Sequence, residues 1–342
     1  MRRKLKTAAG FIAGLAIIAV FIYSVGWERL LSTLYRVDIG LMVPGAFFSL
    51  LIVFMFGIAW WFTVRETTGL SFIQGIKTFY AAHFANSITP LGQFGGEPFI
   101  AYVLHKRSGI PLDKAFGAAV AADVVNAFQF FTISVLGLFT YTIYFGISEG
   151  MDTVFLGVLS AIIALSIFLS LLWYRKDAVI GFLGWTGSKL EDIGEETAGF
   201  LSIVEHWDQD WMEEKGERFY LVMEGLLTRK KEVSIALFFS HIAGFSGIAA
   251  VFFLLRSLGS EISFIPLILI LPASMLANYL PLPGGVGGVE FALISFLVAL
   301  GGVSPPVAAA SVLLFRLFSY WVNLFIGGLS ASTLSVKVFY SS

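Results

Sequence analysis

The chain has 342 residues, of which 57% are hydrophobic and 13% are charged, and its mean hydropathy is +0.85. This composition is typical of a protein embedded in a lipid bilayer and excludes an ordinary soluble globular protein. The net charge of −1 gives no sign of a nucleic-acid partner, and the lack of cysteine excludes disulfides and thiol chemistry. The four histidines have no metal-ligand spacing, so we expect no metal site and no cofactor.

The first half of the chain, residues 1–147, predicts three full spans at 8–25, 40–64 and 115–145. The basic residues before the first span place the N-terminus in the cytoplasm, and a cleaved signal peptide is the alternative for that span. A broken segment at 78–104 lies between the second and third spans. Its first helical piece is too short to cross a hydrocarbon core of about 30 Å. Basic residues flank both of its ends, which predicts a re-entrant hairpin with both ends in the cytoplasm.

The second half, residues 148–342, is predicted to contain a similar series of segments. They are a span at 153–173, a cytoplasmic amphipathic linker at 174–231, a span at 233–255, a second re-entrant segment at 263–300 and a last span at 305–335. The stretch 263–280 is long enough to cross the membrane fully, and this remains the alternative to re-entry.

The two broken segments share a Pro/Gly-rich motif that ends in a glutamate. The first reads TPLGQFGGE from Thr89 to Glu97, and the second reads PLPGGVGGVE from Pro281 to Glu290. With one inserted residue, the motifs and their flanks align in order over eight or nine positions, which predicts two copies of one unit. The first copy starts inside and the second outside, so the predicted fold is an all-α membrane protein with an inverted-topology repeat. It has about six full spans and two re-entrant hairpins, and both termini are cytoplasmic.

The breaks are the predicted functional site. Irregular backbone at membrane depth survives only where it is buried in protein or lines a cavity. Each second half-helix begins just after its glycines, where free N–H groups and a partial positive charge suit an anion such as phosphate. No strand precedes either break and no P-loop sequence occurs, so we reject nucleotide binding.

Four ionisable residues lie at matching positions of the two copies. Glu97 and Glu290 fall in the first turns of the second half-helices. Each is predicted to carry a proton or to bind a cationic or hydroxylated headgroup, and a helix cap is the structural alternative. Asp123 and Arg316 occupy matching positions on the two long helices. We expect these two residues to pair with each other, or Arg316 to contact Glu97 or a substrate phosphate. The structural alternative is a salt bridge that only locks the two halves together. The candidate substrate-binding residues are Asn86, Thr89, Gln93, Gly95, Gly96, Glu97, Asp123, Asn126, Asn278, Pro283, Gly284, Gly285, Gly287, Gly288, Glu290, Arg316 and Tyr320. We interpret His83, His241 and Asn323 as packed polar residues.

On these motifs the sequence resembles the flippase-like family of the lysylphosphatidylglycerol synthase transmembrane region. The likeness rests on Asn86, on Thr89-Pro90 to Glu97, and on Leu282-Pro283-Gly284-Gly285 to Glu290 followed by Arg316. It implies a bacterial or archaeal membrane protein that handles a lipid or lipid-linked headgroup. The sequence holds no counterpart of the synthase's aminoacyl-transfer domain, so we do not expect lysylphosphatidylglycerol synthesis.

The sequence therefore predicts a multi-pass plasma-membrane transporter, a lipid flippase or scramblase whose partners are membrane lipids or a lipid-linked substrate. The chain contains no catalytic constellation, and we predict that it is not an enzyme. Two alternatives remain: a proton-coupled transporter of small solutes, and a non-transporting subunit that docks a cytoplasmic enzyme through 174–231. Assembly into a homo-oligomer is compatible with each of these three functions.

Overall fold

The computed structural model describes residues 26–88, 97–146, 228–279 and 282–340, together with residue 23 and scattered positions between 156 and 225. Every element bounded in these ranges is helical. Four helices there are long and apolar enough to cross a membrane: Ile39–Thr68, Leu112–Phe145, Lys230–Ser257 and Pro305–Leu334. They match four of the six predicted spans. The predicted span 8–25, most of the span 153–173 and most of the linker 174–231 lie outside the described residues.

The described residues of the first half contain five helices, and the second of these helices begins and ends at clear signals. They are α1 (Trp27–Leu34), α2 (Ile39–Thr68), α3 (Phe72–Ile88), α4 (Glu97–Ser108) and α5 (Leu112–Phe145). Asp38 caps α2, because its carboxylate accepts a hydrogen bond of 2.8 Å from the Gly40 N–H. Gly69 ends the same helix with a φ of 67°, a left-handed conformation that glycine adopts without a Cβ clash.

The described stretches 228–279 and 282–340 of the second half contain five more helices and three short irregular turns. They are α6 (Lys230–Ser257), α7 (Ile265–Met275), α8 (Gly288–Ala299), α9 (Pro305–Arg316) and α10 (Val322–Tyr340). Two 3₁₀ turns, Leu276–Tyr279 and Pro283–Gly285, lie between α7 and α8. A π-helical turn, Leu317–Trp321, joins α9 to α10 without ending the long helix.

Helices α2 and α6 form a central antiparallel pair. At one end the Asp38 N–H donates to the Ser257 carbonyl at 2.8 Å, and at the other Arg65 Nη2 lies 3.5 Å from Glu232 Oε1. Small residues bring the helices close, since a Cβ on Gly45 would lie 2.7 Å from Leu254 Cγ. The pair is therefore held along its whole length.

The remaining packing crosses between the halves. Helix α3 of the first half packs mainly on α10 of the second, and α7 of the second packs mainly on α5 of the first. Each contact has a glycine against backbone: a Cβ on Gly327 would lie 2.6 Å from the Tyr80 carbonyl oxygen, and a Cβ on Gly137 would lie 2.5 Å from the Ile268 carbonyl oxygen. In the sequence alignment of the two halves, α3 corresponds to α7, and α5 corresponds to the long helix formed by α9 and α10.

The two ends of each broken segment lie in the same apolar cluster. Leu70, before α3, and Leu104, near the end of α4, belong to one cluster. Ile262, before α7, and Leu300, after α8, belong to another. A Cβ on Gly301 would lie 2.9 Å from Ile262 Cδ1, so these two ends adjoin directly.

The broken segments differ from the sequence prediction in two respects. Helix α3 begins at Phe72 rather than 78, because Gln74 Oε1 accepts a hydrogen bond from the Ser71 N–H and Lys77 projects from an exposed face. In the second segment the α-helix has 11 residues, Ile265–Met275, and a 3₁₀ turn continues it to Tyr279, so the helical stretch begins two residues later than the predicted 263.

Candidate functional site

The second break owes its shape to glycines in the left-handed region. Gly284, Gly285 and Gly287 have φ values of 58°, 64° and 87°. At Gly284 a Cβ would overlap the Tyr320 side chain, and at Gly285 it would lie 2.5 Å from Asn278 Oδ1. Both the conformation and the lack of space require glycine there. The break therefore brings bare backbone against two polar side chains.

A buried ion pair holds this break from both sides. Arg316 Nε donates to Glu290 Oε1 at 2.6 Å, and Arg316 Nη2 donates to the Gly284 carbonyl at 3.0 Å. Glu290 Oε2 accepts from the Gly287 N–H at 2.7 Å, so the carboxylate also caps α8. Glu290 is 5% exposed and Arg316 is 6% exposed. The glutamate is thus both a helix cap and the counter-ion of an arginine.

The π-helical turn places Tyr320 beside this pair. The Arg316 guanidinium carbon lies 4.2 Å from the centre of the Tyr320 ring, a cation–π contact. The Tyr320 hydroxyl donates at 3.4 Å to the Ser87 carbonyl at the end of α3. Asn323, which is fully buried, donates from Nδ2 to the carbonyls of Phe318 and Ser319 at 3.1 Å each. Both acceptors lie within the π-helical turn, so the Asn323 side chain ties that turn to the start of α10.

A cavity of about 150 Å³ adjoins the Arg316 guanidinium. Seven elements of both halves supply its wall: α2, α3, α5, α6, α7, the break between α7 and α8, and the long helix formed by α9 and α10. Most of the wall is apolar. The polar side chains on it are His83, Asn86, Ser87, Gln129, Asn278, Arg316, Ser319 and Tyr320. The cavity is therefore a mostly apolar space with a few convergent polar groups, next to the second of the two breaks at which the sequence predicted a site.

The cavity combines predicted residues with others that the sequence analysis missed. Asn86, Asn278, Gly284, Arg316 and Tyr320 line it as members of the predicted site. His83, Ser87, Gln129 and Ser319 also line it and were not predicted as site residues. A single glutamine such as Gln129 in an apolar stretch gives no local sign of a binding role. Its position three residues after Asn126, on the same side of a helix, is a sequence feature that could have identified it. Gly285, Gly287, Gly288 and Glu290 shape the break behind the cavity rather than its wall.

Two predicted residues of α5 lie away from the cavity wall. Asn126 Nδ2 donates to the Phe56 carbonyl at 3.4 Å, and Ser240 Oγ donates to the Asn126 carbonyl at 3.2 Å, so Asn126 joins α5 to α2 and α6. Asp123 is half-buried on the same helix. The predicted alternative that Arg316 pairs with Asp123 is wrong, because the guanidinium pairs with Glu290 of its own half.

Part of the first break is not described. Thr89, Gln93, Gly95 and Gly96 lie outside the described residues, while Glu97 is the first residue of α4. Pro283 begins the second 3₁₀ turn. Across the described ranges no group of three His, Cys, Asp or Glu side chains is placed to hold a metal ion.

Comparison with known proteins identifies the family. The family described as the lysylphosphatidylglycerol synthase TM region matches residues 9–327, nearly the whole chain. The chain belongs to this family. It is an integral membrane protein, and the resemblance inferred from the two glycine-rich motifs is confirmed.

Three archaeal relatives match this chain over nearly its whole length. A UPF0104 membrane protein of Methanothermobacter thermautotrophicus is 26% identical over 332 residues, which is 93% of each chain. One of Pyrococcus horikoshii is 23% identical over 326 residues, covering 93% of this chain and 94% of its own. One of Methanocaldococcus jannaschii is 26% identical over 324 residues, covering 92% and 91%. Their names describe membrane proteins and assign no substrate.

Proposed function

We propose that this protein is a lipid flippase or scramblase of the plasma membrane that moves a phosphate-bearing headgroup through the cavity while the acyl chains stay in lipid. The observation that carries the proposal is a buried guanidinium on the wall of an interior cavity that both halves build. Arginine is the side chain best suited to phosphate, because it presents several fixed N–H donors. Of these donors, Nη1 has no acceptor among the described residues, whereas Nε and Nη2 are engaged.

We infer that both broken segments are re-entrant hairpins and that the halves form an inverted-topology repeat. The shared apolar cluster at the ends of each segment supports re-entry. The reciprocal packing of α3 on α10 and of α7 on α5 supports the repeat. This architecture places substrate sites near mid-membrane between the repeats, where alternating access exposes them to each side in turn. Such a role needs no enzymatic step and no cofactor.

The test is lipid translocation in proteoliposomes made with the full chain. Fluorescent phospholipids and polyprenyl-phosphate-linked lipids report transfer between leaflets. Wild type is expected to accelerate transfer over protein-free vesicles. The double variant Glu290→Gln/Arg316→Gln, which removes both buried charges together, is expected to lose at least 90% of that acceleration. The matched control is Glu261→Gln/Arg256→Gln, an exposed pair 3.5 Å apart at the far end of α6, and it is expected to behave as wild type.

Two outcomes oppose the proposal. Wild-type flux equal to that of protein-free vesicles for every lipid, in protein shown to be folded, would contradict transport of lipids. Uptake of a soluble solute with no lipid transfer would favour the proton-coupled solute transporter instead.

A further inference from the structure

One histidine faces the interior cavity from α3. His83 lines the cavity, and its Nε2 atom is buried with no hydrogen-bond partner among the described residues. His241 of α6 differs in both respects. It lies off the cavity wall, its Nδ1 is 2.7 Å from the Leu237 carbonyl oxygen, and its Nε2 is 2.7 Å from Thr132 Oγ1. Buried polar atoms without a protein partner are rare, so His83 Nε2 points to a ligand in the cavity.

His83 shares the cavity wall with a permanent cation. The guanidinium of Arg316 stays charged at all ordinary pH values, and Glu290 behind it supplies one compensating charge. Among the described residues the wall includes no carboxylate. A neutral His83 therefore leaves the cavity without net charge, whereas protonation adds a positive charge that no described group on the wall balances. Buried charge is costly unless it is paired, so a proton on His83 calls for an anion in the cavity.

His83 is the group on the cavity wall that is suited to exchange a proton. Other charged or titratable side chains on the elements around the cavity and the two breaks include Tyr80 of α3, Glu97 of α4, Asp123 of α5, His241 of α6, Glu290 of α8, and Arg316 and Tyr320 of the last long helix. Of these, Arg316 and Tyr320 line the cavity with His83. Histidine has an ordinary pKa of about 6.5, whereas tyrosine ionises near pH ~10 and arginine keeps its proton.

We propose that His83 is a proton-binding site and that an anionic group and a proton occupy the cavity together. Protonation makes Nε2 a hydrogen-bond donor, whichever ring nitrogen carried the hydrogen before. A singly charged anion bound to Arg316 then contacts a second donor and balances the imidazolium, so the occupied cavity has no net charge. By linkage, the anion raises the affinity for the proton by the same factor as the proton raises the affinity for the anion.

This coupling converts a pH difference across the membrane into directed movement. The cavity carries a proton when it holds the anion and none when it does not, so one proton moves with each singly charged group in the same direction. The step transfers no net charge and therefore responds to the pH difference but not to the membrane potential. Glu290, a predicted proton carrier, is not required, because both of its oxygens are engaged. The inference rests on the proposed function, since it describes the energy coupling of the same cavity.

Calorimetry on the purified full chain in phosphatidylcholine nanodiscs measures the coupling. The probe is dimethyl phosphate, whose single negative charge does not titrate in the neutral pH range. In buffers of different ionisation enthalpy at pH 7, binding is expected to take up at least half a proton per anion. The affinity is expected to be at least fivefold higher at pH 6 than at pH 8. Binding without proton uptake, an affinity independent of pH, or no binding at either pH would overturn the proposal.

The variant His83→Gln tests the assignment to this residue. It keeps a polar side chain that cannot take up a proton, so proton uptake and the pH dependence of the affinity are expected to disappear. His241→Gln is the matched control and is expected to keep both, because that imidazole bonds within the protein and lies off the wall. Proton uptake that persists in folded His83→Gln would overturn the role of His83. The wild-type measurement tests the coupling without any variant.

Translocation assays separate this inference from the proposed function and identify the source of the anion. Fluorescent phosphatidylinositol and phosphatidylglycerol each carry one negative charge. In proteoliposomes with an acidic exterior, inward transfer is expected to exceed outward transfer at least threefold, and a potassium diffusion potential should not change this ratio. Equal rates in both directions retain lipid transport and overturn the coupling. Proton-coupled uptake of dimethyl phosphate without lipid transfer supports the His83 site and overturns the flippase.

Discussion

The Arg316–Glu290 pair links the second break to α8 and to the last long helix by hydrogen bonds. Its guanidinium binds the Gly284 carbonyl, and its carboxylate binds the Gly287 N–H, so the pair fixes the backbone on both sides of the irregular turn. Two buried charges are tolerated here because each supplies the counter-ion of the other and both make further hydrogen bonds.

Removal of one charge of the Arg316–Glu290 pair is predicted to lower the stability of the fold. Glu290→Gln leaves Arg316 buried without a counter-ion, so the free energy of unfolding should fall by about 3–5 kcal/mol. Thermal denaturation in detergent measures this as a lower Tm. The double variant Glu290→Gln/Arg316→Gln should recover part of the loss, and Glu261→Gln, whose partner Arg256 is exposed, should cost at most about 1 kcal/mol. Equal Tm values for wild type and Glu290→Gln would contradict the pairing.

Substitution of Gly284 is predicted to combine two separate costs. Gly284→Ala forces an alanine into φ 58° and places its Cβ against the Tyr320 ring. Gly69→Ala has a similar φ of 67° and no atom within 4 Å of the added Cβ, so it measures the backbone cost alone, about 1–2 kcal/mol. We expect Gly284→Ala to lower the Tm clearly more than Gly69→Ala. Equal effects would show that the turn tolerates a side chain.

At the scale of elements, the π-helical turn Leu317–Trp321 lies where the last long helix borders the cavity. Arg316 comes directly before the turn, Ser319 and Tyr320 lie within it, and all three line the cavity. A π-helical turn holds one residue more than an α-helical turn, so it shifts the register of the residues that follow it. Such turns are frequent at functional sites, and here the turn adjoins the buried Arg316–Glu290 ion pair.

The side chain of Asn323 is predicted to stabilise this turn. Asn323→Leu removes two hydrogen bonds made by a fully buried amide, at an expected cost of about 1–3 kcal/mol. Thermal denaturation measures this cost as a lower Tm. Ser330→Ala, which removes an exposed intrahelical bond from the same helix, is the control and should leave the Tm unchanged.

The contact between α3 and α10 is predicted to depend on one of two adjacent glycines. At Gly327 a Cβ would lie 2.6 Å from a backbone oxygen of α3, whereas at Gly328 it would lie 3.3 Å from the movable ring of Phe84. Backbone cannot yield as a side chain does, so Gly327→Ala should cost about 1–3 kcal/mol more than Gly328→Ala. Comparison of the two Tm values tests this, and the reverse order would contradict the close helix packing.

At the scale of the whole molecule, the described helices are consistent with a membrane protein whose two halves each cover the broken segment of the other. The apolar cluster around Leu70 and Leu104 and the cluster around Ile262 and Leu300 occupy the two ends of the central pair of α2 and α6. If the broken segments are re-entrant, the first opens toward one side of the membrane and the second toward the other.

Cysteine labelling tests this arrangement without background, because the chain contains no cysteine. Single substitutions Ser71→Cys and Lys106→Cys flank the first broken segment, and Glu261→Cys and Ser304→Cys flank the second. An impermeant maleimide should label the second pair in intact cells and the first pair only after permeabilisation. Ends of one segment that label from opposite sides would contradict re-entry.

The sequence by itself determined the class of protein, four of the long helices and the second break. These features are local: continuous apolar runs predict spans, and Pro and Gly end helices wherever they occur. Glu290, Arg316 and the glycines were identified as site residues because charge and broken backbone at membrane depth are rare.

Only the tertiary structure decided which residues meet. The alignment of the halves suggested that Arg316 faces Asp123, yet the long helix turns the guanidinium toward Glu290 of its own half. Gln129 and His83 join the cavity because α5 and α3 pack across the junction, a contact between residues far apart in the chain. Local patterns carry no information on such contacts, since the packing of one helix on another depends on the surfaces of both.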